Sequence, residues 1–467
     1  MLFSSLTFLY LFLPAVLLAY AVFPARLRNG ALLAVSLLFY FCGEPEYTLL
    51  ILGETLVSYL IARWMAGAAS PRLRRALLAA ELLAALGALG LFKYADFAIG
   101  TVNALFGGAL PLLHLALPIG ISFYTFQTLS YVIDVYWGRL AAERNFVRYA
   151  AYVTLFPQLI AGPIVRYQDV AEDLCGRRMT ADGLYEGLSR FVLGLSKKVL
   201  LANVLGQLVS DMTLAAERSV LGEWLLAVGY ALQIYFDFSG YSDMAIGIGW
   251  VFGLRFPENF NYPYLAHTVT DFWRRWHMTL SSWFRDYVYI PLGGNRRGLP
   301  RQLWNILIVW TLTGLWHGAN WTFAAWGMYF ALLLTLEKLF LLRVLERLPR
   351  AVGRIYTLLA VLLSFVLFQS ERFSAALALL SEMFGAAGTA LQSTAAVYAL
   401  RSYGLLLLMG CIGATPLPKK LAVRLGARRW GAGALRVLTP AVLLLLLLLC
   451  TAYLADGSFN PFLYFRF

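Results

Sequence analysis

The sequence predicts an all-α polytopic membrane protein, a helical bundle of roughly 11 spans with re-entrant and interfacial helices around a polar interior. Three observations predict it. Of 467 residues, 60% are hydrophobic and only 13% are charged, with a mean hydropathy of +0.69. A water-soluble chain of this length needs far more charged surface. Runs such as 405–412 and 438–454 have only lipid to hide behind. The basic residues also cluster in alternate loops, as a multi-span chain requires. Aqueous, fibrous and disordered classes are excluded. No stretch is large enough to fold separately and no internal repeat is visible, so residues 1–467 read as a single transmembrane domain.

A span needs about 20 apolar residues to cross a hydrocarbon layer of about 30 Å. Residues 2–23 begin apolar, with no basic leader and no small-residue cleavage site, and predict a first span, not a cleaved signal peptide. The next candidates are 47–62, 76–92, 110–136, 188–209 and 224–252, then 318–336, 355–368, 400–413 and 438–454. Three further runs, 31–41, 149–165 and 302–316, are shorter or broken by proline. Pro157, Gly162 and Pro163 make 149–165 a re-entrant candidate. Irregular backbone at membrane depth needs cover from protein or a water-filled cavity.

The net charge of +13 suits a cytoplasmic-loop excess better than nucleic acid. Arg26 and Arg28, then Arg63, Arg72, Arg74 and Arg75, mark two basic loops. Lys338 to Arg354 and Lys419 to Arg436 mark two more, whereas residues 370–397 hold Arg372 as their one basic residue. The basic clusters are therefore expected on the cytoplasmic side and both termini outside. The four cysteines show no metal-ligand or disulfide spacing, and no phosphate-binding glycine loop or nucleophile elbow is present.

Four histidines remain. His114, at an apolar helix start, and His267 read as structural. His277 lies in DFWRRWHMTLSSWFRDY, 271–287. If helical, Trp273, His277, Leu280 and Phe284 share one face, and Arg274, Ser281 and Arg285 another. An interfacial helix anchored in lipid and a cytoplasmic port for an anionic donor both fit that pattern. His317 lies in LTGLWHGANW, 312–321, with Gly314 and Gly318 beside it. Intramembrane imidazole is either a site or an interhelical hydrogen-bonding group. Residues 233–243, QIYFDFSGYSD, place Asp237, Ser239, Tyr241 and Asp243 in an apolar span. They either line a polar cavity or join helices. Glu54 and Glu81 are lone intramembrane carboxylates.

Several segments together resemble the membrane-bound O-acyltransferase family, in its bacterial branch typified by the alginate O-acetyltransferase membrane subunit. They are LPIGISFYTFQ (117–127), FPQLIAGPIVR (156–166), YFDFSGYSD (235–243), PENFNYPY (257–264), the run 273–294, LWHGA (315–319) and NPFLYFRF (460–467). They follow one another in order from residue 117 to the end of the chain. The resemblance implies a central funnel and tunnel. It also implies a bacterial cytoplasmic-membrane enzyme that moves an acyl group from a cytoplasmic thioester to an extracytoplasmic hydroxyl. By similarity His317 matches the histidine taken as essential, and His277 the second histidine-or-amide position. The donor would be acetyl-CoA or an acyl-carrier protein thioester, with no bound cofactor and no metal. An SGNH or serine esterase-like relay protein and a polysaccharide acceptor are the implied partners. Related members D-alanylate teichoic acids or O-acetylate peptidoglycan. Residues 340–400 and 413–437 are silent about the acceptor.

The chemistry needs a general base, worth about 10²–10⁴-fold, and donors for the developing oxyanion. His317 and His277 are the expected catalytic pair, with Trp316, Asn320 or amides near Gly318 as oxyanion donors. Arg274, Arg275, Arg285 and Trp273 are the expected donor-binding residues, since guanidinium clusters match phosphate and carboxylate. A transporter would instead conduct without consuming a donor, and a scaffold would not need His317.

Overall fold

Proline and glycine set where the helices stop. The computed structural model describes residues 2–386, 388–457, 460 and 463, so most of the 460–467 run lies outside the described residues. Two compact units appear, Met1–Phe191 with Met244–Pro257, and Val192–Asp243 with Glu258–Phe467. Among the described residues every regular element is helical, apart from one isolated bridge between Ser219 and Ala390.

In the first unit a π turn, Phe8–Phe12, runs into α1 (Leu13–Val22), followed by α2 (Arg28–Phe41) and α3 (Thr48–Gly67). Pro71 begins α4 (Pro71–Leu89), where its missing N–H costs nothing. Through the π turn Gly90–Tyr94 this helix continues into α5 (Ala95–Phe106), well past the expected end at 92. The 110–136 expectation is corrected: only α6 (Ile121–Tyr136) is helical there. Pro111 and Pro118 bias their predecessors away from helix, and Gly120 caps α6 at φ 79°. His114 accordingly lies outside any helix, at φ 49°, with its backbone N–H donated to Asp96 at 2.9 Å.

Residues 149–165 form a broken, wholly buried path: α7 (Phe146–Val153), α8 (Phe156–Leu159) and extended backbone before α9 (Tyr167–Gly176). Internal bonds pair part of it, among them Tyr152 Oη to the Val165 carbonyl at 2.9 Å and Gln158 Nε2 to the Tyr152 carbonyl at 2.6 Å. Buried irregular backbone is tolerated only when paired in this way.

The second unit takes up α10 (Ala181–Ser196) from Val192, then a π turn Lys197–Ala202 and α11 (Asn203–Leu214). The long α12 (Val220–Val251) belongs to this unit as far as Asp243. Next come α13 (Val269–Trp273), α14 (Met278–Phe284), α15 (Leu299–His317) and α16 (Trp321–Leu336). A π turn, Glu337–Leu341, leads to α17 (Leu342–Arg347), α18 (Arg350–Gln369), α19 (Phe373–Met383), α20 (Thr394–Gly413), α21 (Leu417–Gly426) and α22 (Arg429–Ala455). Among the described residues six helical stretches have the length and apolar composition to cross a bilayer: Thr48–Gly67, Pro71–Phe106, Ala181–Leu214, Arg350–Gln369, Thr394–Gly413 and Gly431–Ala455.

Glycines shape two helix crossings in this unit. A Cβ on Gly314 would stand 2.3 Å from the Phe323 carbonyl, and one on Gly327 would stand 2.2 Å from that of Trp310. Only bare backbone lets α15 and α16 approach so closely. A Cβ on Gly240 would stand 2.7 Å from the Gly194 carbonyl, where α12 crosses the end of α10.

Candidate functional site

The single helix expected across 271–287 is corrected. It breaks at Arg274–His277, between α13 and α14, because His277 adopts the left-handed region at φ 43° and ψ 53°. Two backbone hydrogen bonds with residues 259–261 hold the break. The Asn261 N–H donates to the Arg275 carbonyl at 2.9 Å, and the Met278 N–H to the Asn259 carbonyl at 3.0 Å. Glu337 anchors the first turn of α13 by accepting the Val269 and Thr270 N–H groups at 2.6 and 2.9 Å. A carboxylate at a helix N-terminus meets otherwise unsatisfied donors.

The His277 imidazole is buried. Nδ1 lies 3.1 Å from Asn259 Oδ1, and the ring stands edge-on to Phe238 at 4.7 Å between centroids. His277 lies outside the six span-length helices, and burial, then nearby His317, holds it well below the usual histidine value. Both causes favour the neutral imidazole.

His317 ends α15 and is also buried. Its ring is caged edge-on by Trp316 at 5.0 Å, Trp326 at 5.1 Å and Phe368 at 5.4 Å. The His277 ring meets the same Trp316 at 5.9 Å. One indole therefore touches both imidazoles. Asn320 caps α16 with Oδ1, accepting the Thr322 N–H at 3.0 Å, and donates Nδ2 to the Glu371 carbonyl at 3.1 Å.

Trp273, Arg274 and Arg285 line one cavity of about 230 Å³, together with Ser281 and Thr313. Thr313 lies one turn before His317 on α15. Arg275 is not in that wall; it pairs with Asp271 at 2.9 Å. Arg285 makes a two-point pair with Asp286, at 2.7 and 3.1 Å.

The carboxylates of α12 meet lysines of the neighbouring helix. Lys198 Nζ lies 2.6 Å from Asp237 and Lys197 Nζ lies 2.6 Å from Asp243, on either side of the Gly240 crossing. The second Asp237 oxygen accepts the Leu463 N–H at 3.0 Å. Ser239 and Tyr241 are buried on the same helix. Sequence reasoning gave no role to Asn259, Ser242, Lys197, Lys198, Trp326 or Phe368. Two adjacent lysines in an apolar span, and an asparagine inside a quoted motif, were the available signals.

The model of MBOAT, the membrane-bound O-acyltransferase family, matches residues 139–375, which contain both histidines and the cavity. The chain is 40% identical to the probable alginate O-acetylase AlgI of Pseudomonas putida, with all of both chains covered. It is 33% identical to the peptidoglycan O-acetyltransferase of Helicobacter pylori, over 84% of this chain and 81% of that one. Against the teichoic acid D-alanyltransferase of Bacillus subtilis it is 30% identical, over 48% of this chain and 59% of that one. Two histidines about one tryptophan, beside an arginine-flanked cavity, thus lie within the matched region, and the chain belongs to the membrane-bound O-acyltransferase family.

Proposed function

We propose that the protein transfers an acetyl group from a cytoplasmic thioester to a hydroxyl on the far side of the bacterial inner membrane. The observation that carries this reading is Trp316, whose ring meets both His277 and His317 one turn beyond the cavity wall at Thr313. In this reading roughly 11 spans surround a funnel and tunnel, and both termini are extracytoplasmic.

The donor, acetyl-CoA or an acyl-carrier thioester, enters past Arg274 and Arg285, whose charge suits phosphate or an acidic carrier. His317 takes the proton of the acceptor hydroxyl while its oxygen attacks the thioester carbonyl. Trp316 donates its indole N–H to the developing oxyanion. The C–S bond then breaks, and the thiolate takes the proton back from His317. His277 positions the donor. A dry tunnel keeps water from the thioester.

Relatives named as an alginate O-acetylase and a peptidoglycan O-acetyltransferase, similar over most or all of the chain, favour acetyl transfer to a polysaccharide, alginate-like or cell-wall. An extracytoplasmic esterase-like relay protein completes the route. D-alanyl transfer is the second reading, favoured by a relative over 48% of the chain. The test is a proteoliposome assay with labelled acetyl-CoA or acetyl-carrier protein inside and alginate plus the relay protein outside. Label should reach the outer acceptor and be lost in His317→Ala. A folded His317→Ala protein with near-normal transfer would overturn the reading.

A further inference from the structure

Asn259 lies in the PENFNYPY run and is fully buried. A buried amide is costly unless both of its ends are satisfied. Here both are. Oδ1 faces the Thr279 backbone N at 3.4 Å, the Thr279 hydroxyl at 2.9 Å and His277 Nδ1 at 3.1 Å. Nδ2 donates to Ser242 Oγ at 3.1 Å.

An amide's orientation and an imidazole's tautomer must be inferred from such networks. The Thr279 backbone N–H settles both, because it can only donate. The amide atom facing it must be oxygen; turning the amide would set an NH₂ group against that N–H. An amide oxygen only accepts, so neutral His277 must carry its proton on Nδ1. Nε2 then holds the lone pair. The backbone enforces the same contact. His277 is held at φ 43°, an unfavourable region for a residue with a side chain, and the Asn259 carbonyl accepts the next N–H, that of Met278, at 3.0 Å. One residue therefore grips both the strained backbone and the ring that it presents.

We propose that Asn259 is a positioning residue that holds His277 as the Nδ1–H tautomer, so that Nε2 is the accepting nitrogen of the acyl-transfer centre. Its effect on rate rests on the acyl-transfer reading; the tautomer itself does not. The opposite tautomer would set the Nδ1 lone pair against the Asn259 amide oxygen.

Nitrogen NMR of the full chain, ¹⁵N-labelled at histidine in detergent, reads the tautomer directly. Four histidines keep the spectrum assignable, with His277→Gln identifying the signal. The expected wild-type result is a protonated, pyrrole-type Nδ1 and an unprotonated Nε2. Asn259→Leu removes the acceptor and should shift the ring toward Nε2–H, lowering turnover by about 10–100-fold, the scale of one mismatched buried hydrogen bond. Asn259→Asp keeps the acceptor and should retain both the tautomer and most turnover, assayed above the pH at which the new carboxylate keeps the imidazole protonated. A purely packing role would not separate these two near-isosteric variants by tautomer. An Nε2–H signal in the wild type overturns the inference, and so does equal turnover in the two variants. If Asn259→Leu does not fold, the wild-type and Asn259→Asp spectra still decide. Absent acyl transfer with the Nδ1–H signal intact would instead sink the proposed function and leave the tautomer standing.

Discussion

Lys198 Nζ lies 2.6 Å from Asp237, and both side chains are almost entirely buried, at 2% and 4% exposure. Breaking one partner of such a pair strands a charge, at a cost of about 3–5 kcal/mol, whereas replacing both with apolar groups is often neutral. Lys198→Met alone should therefore lower the thermal unfolding midpoint in detergent sharply. The double variant Lys198→Met, Asp237→Leu should recover much of the loss. A double variant no better than the single one would refute this balance.

The α15–α16 crossing leaves no room for side chains at its closest point. Gly327→Leu places a Cβ 2.2 Å from the Trp310 carbonyl, and overpacking of this kind costs about 1–3 kcal/mol or more. His317 ends α15, so acyl transfer should fall along with the unfolding midpoint. Gly404→Leu, in open space on α20, should change neither.

The three arginines should separate in donor kinetics. Arg274→Gln and Arg285→Gln line the cavity and should raise the KM for the donor more than they lower kcat. Arg275→Gln, already paired with Asp271, should change KM less. Equal effects at all three would make the cluster a lipid anchor.

Topology has a direct measurement. With the native exposed cysteines replaced, an impermeant thiol reagent applied from outside should label Leu391→Cys but not Val423→Cys. The opposite pattern would reverse the orientation and the donor side with it.

Glu143 predicts acid sensitivity. Burial pushes its carboxyl up, but bonds from the Tyr167 hydroxyl at 2.5 Å, the Asn145 N–H at 2.8 Å and Arg148 at 3.1 Å outweigh that and hold it below the usual value. A depressed carboxyl stabilises the fold above its unfolded pKa, and that stabilisation fades as pH falls through the folded value. From neutral pH into the acid range, the wild-type unfolding midpoint should drop more steeply than that of Glu143→Gln. Parallel pH curves would show that Glu143 contributes nothing.

What the sequence determined by itself was local or compositional. Apolar runs such as 438–454 had to be helices in lipid, since nothing else satisfies backbone there. The proline and glycine of 149–165 had to break that path, and the motif order from residue 117 onward carried the family. Its histidines were legible for the same reason: imidazole in an apolar run is rare and costly. Tertiary structure decided the rest. Helical periodicity put Trp273 and His277 on one continuous face, yet hydrogen bonds from residues 259–261 break that helix. The apolar span around Asp237 and Asp243 did not say which groups would face these carboxylates. Lys198 and Lys197, some 40 residues earlier, pair with them because Gly240 lets two helices touch. Asn259 shows the same limit. Its two amide ends read as nothing in the sequence, because a hydrogen bond is set by which atoms the fold brings within about 3 Å, and periodicity along one helix says nothing of its neighbours.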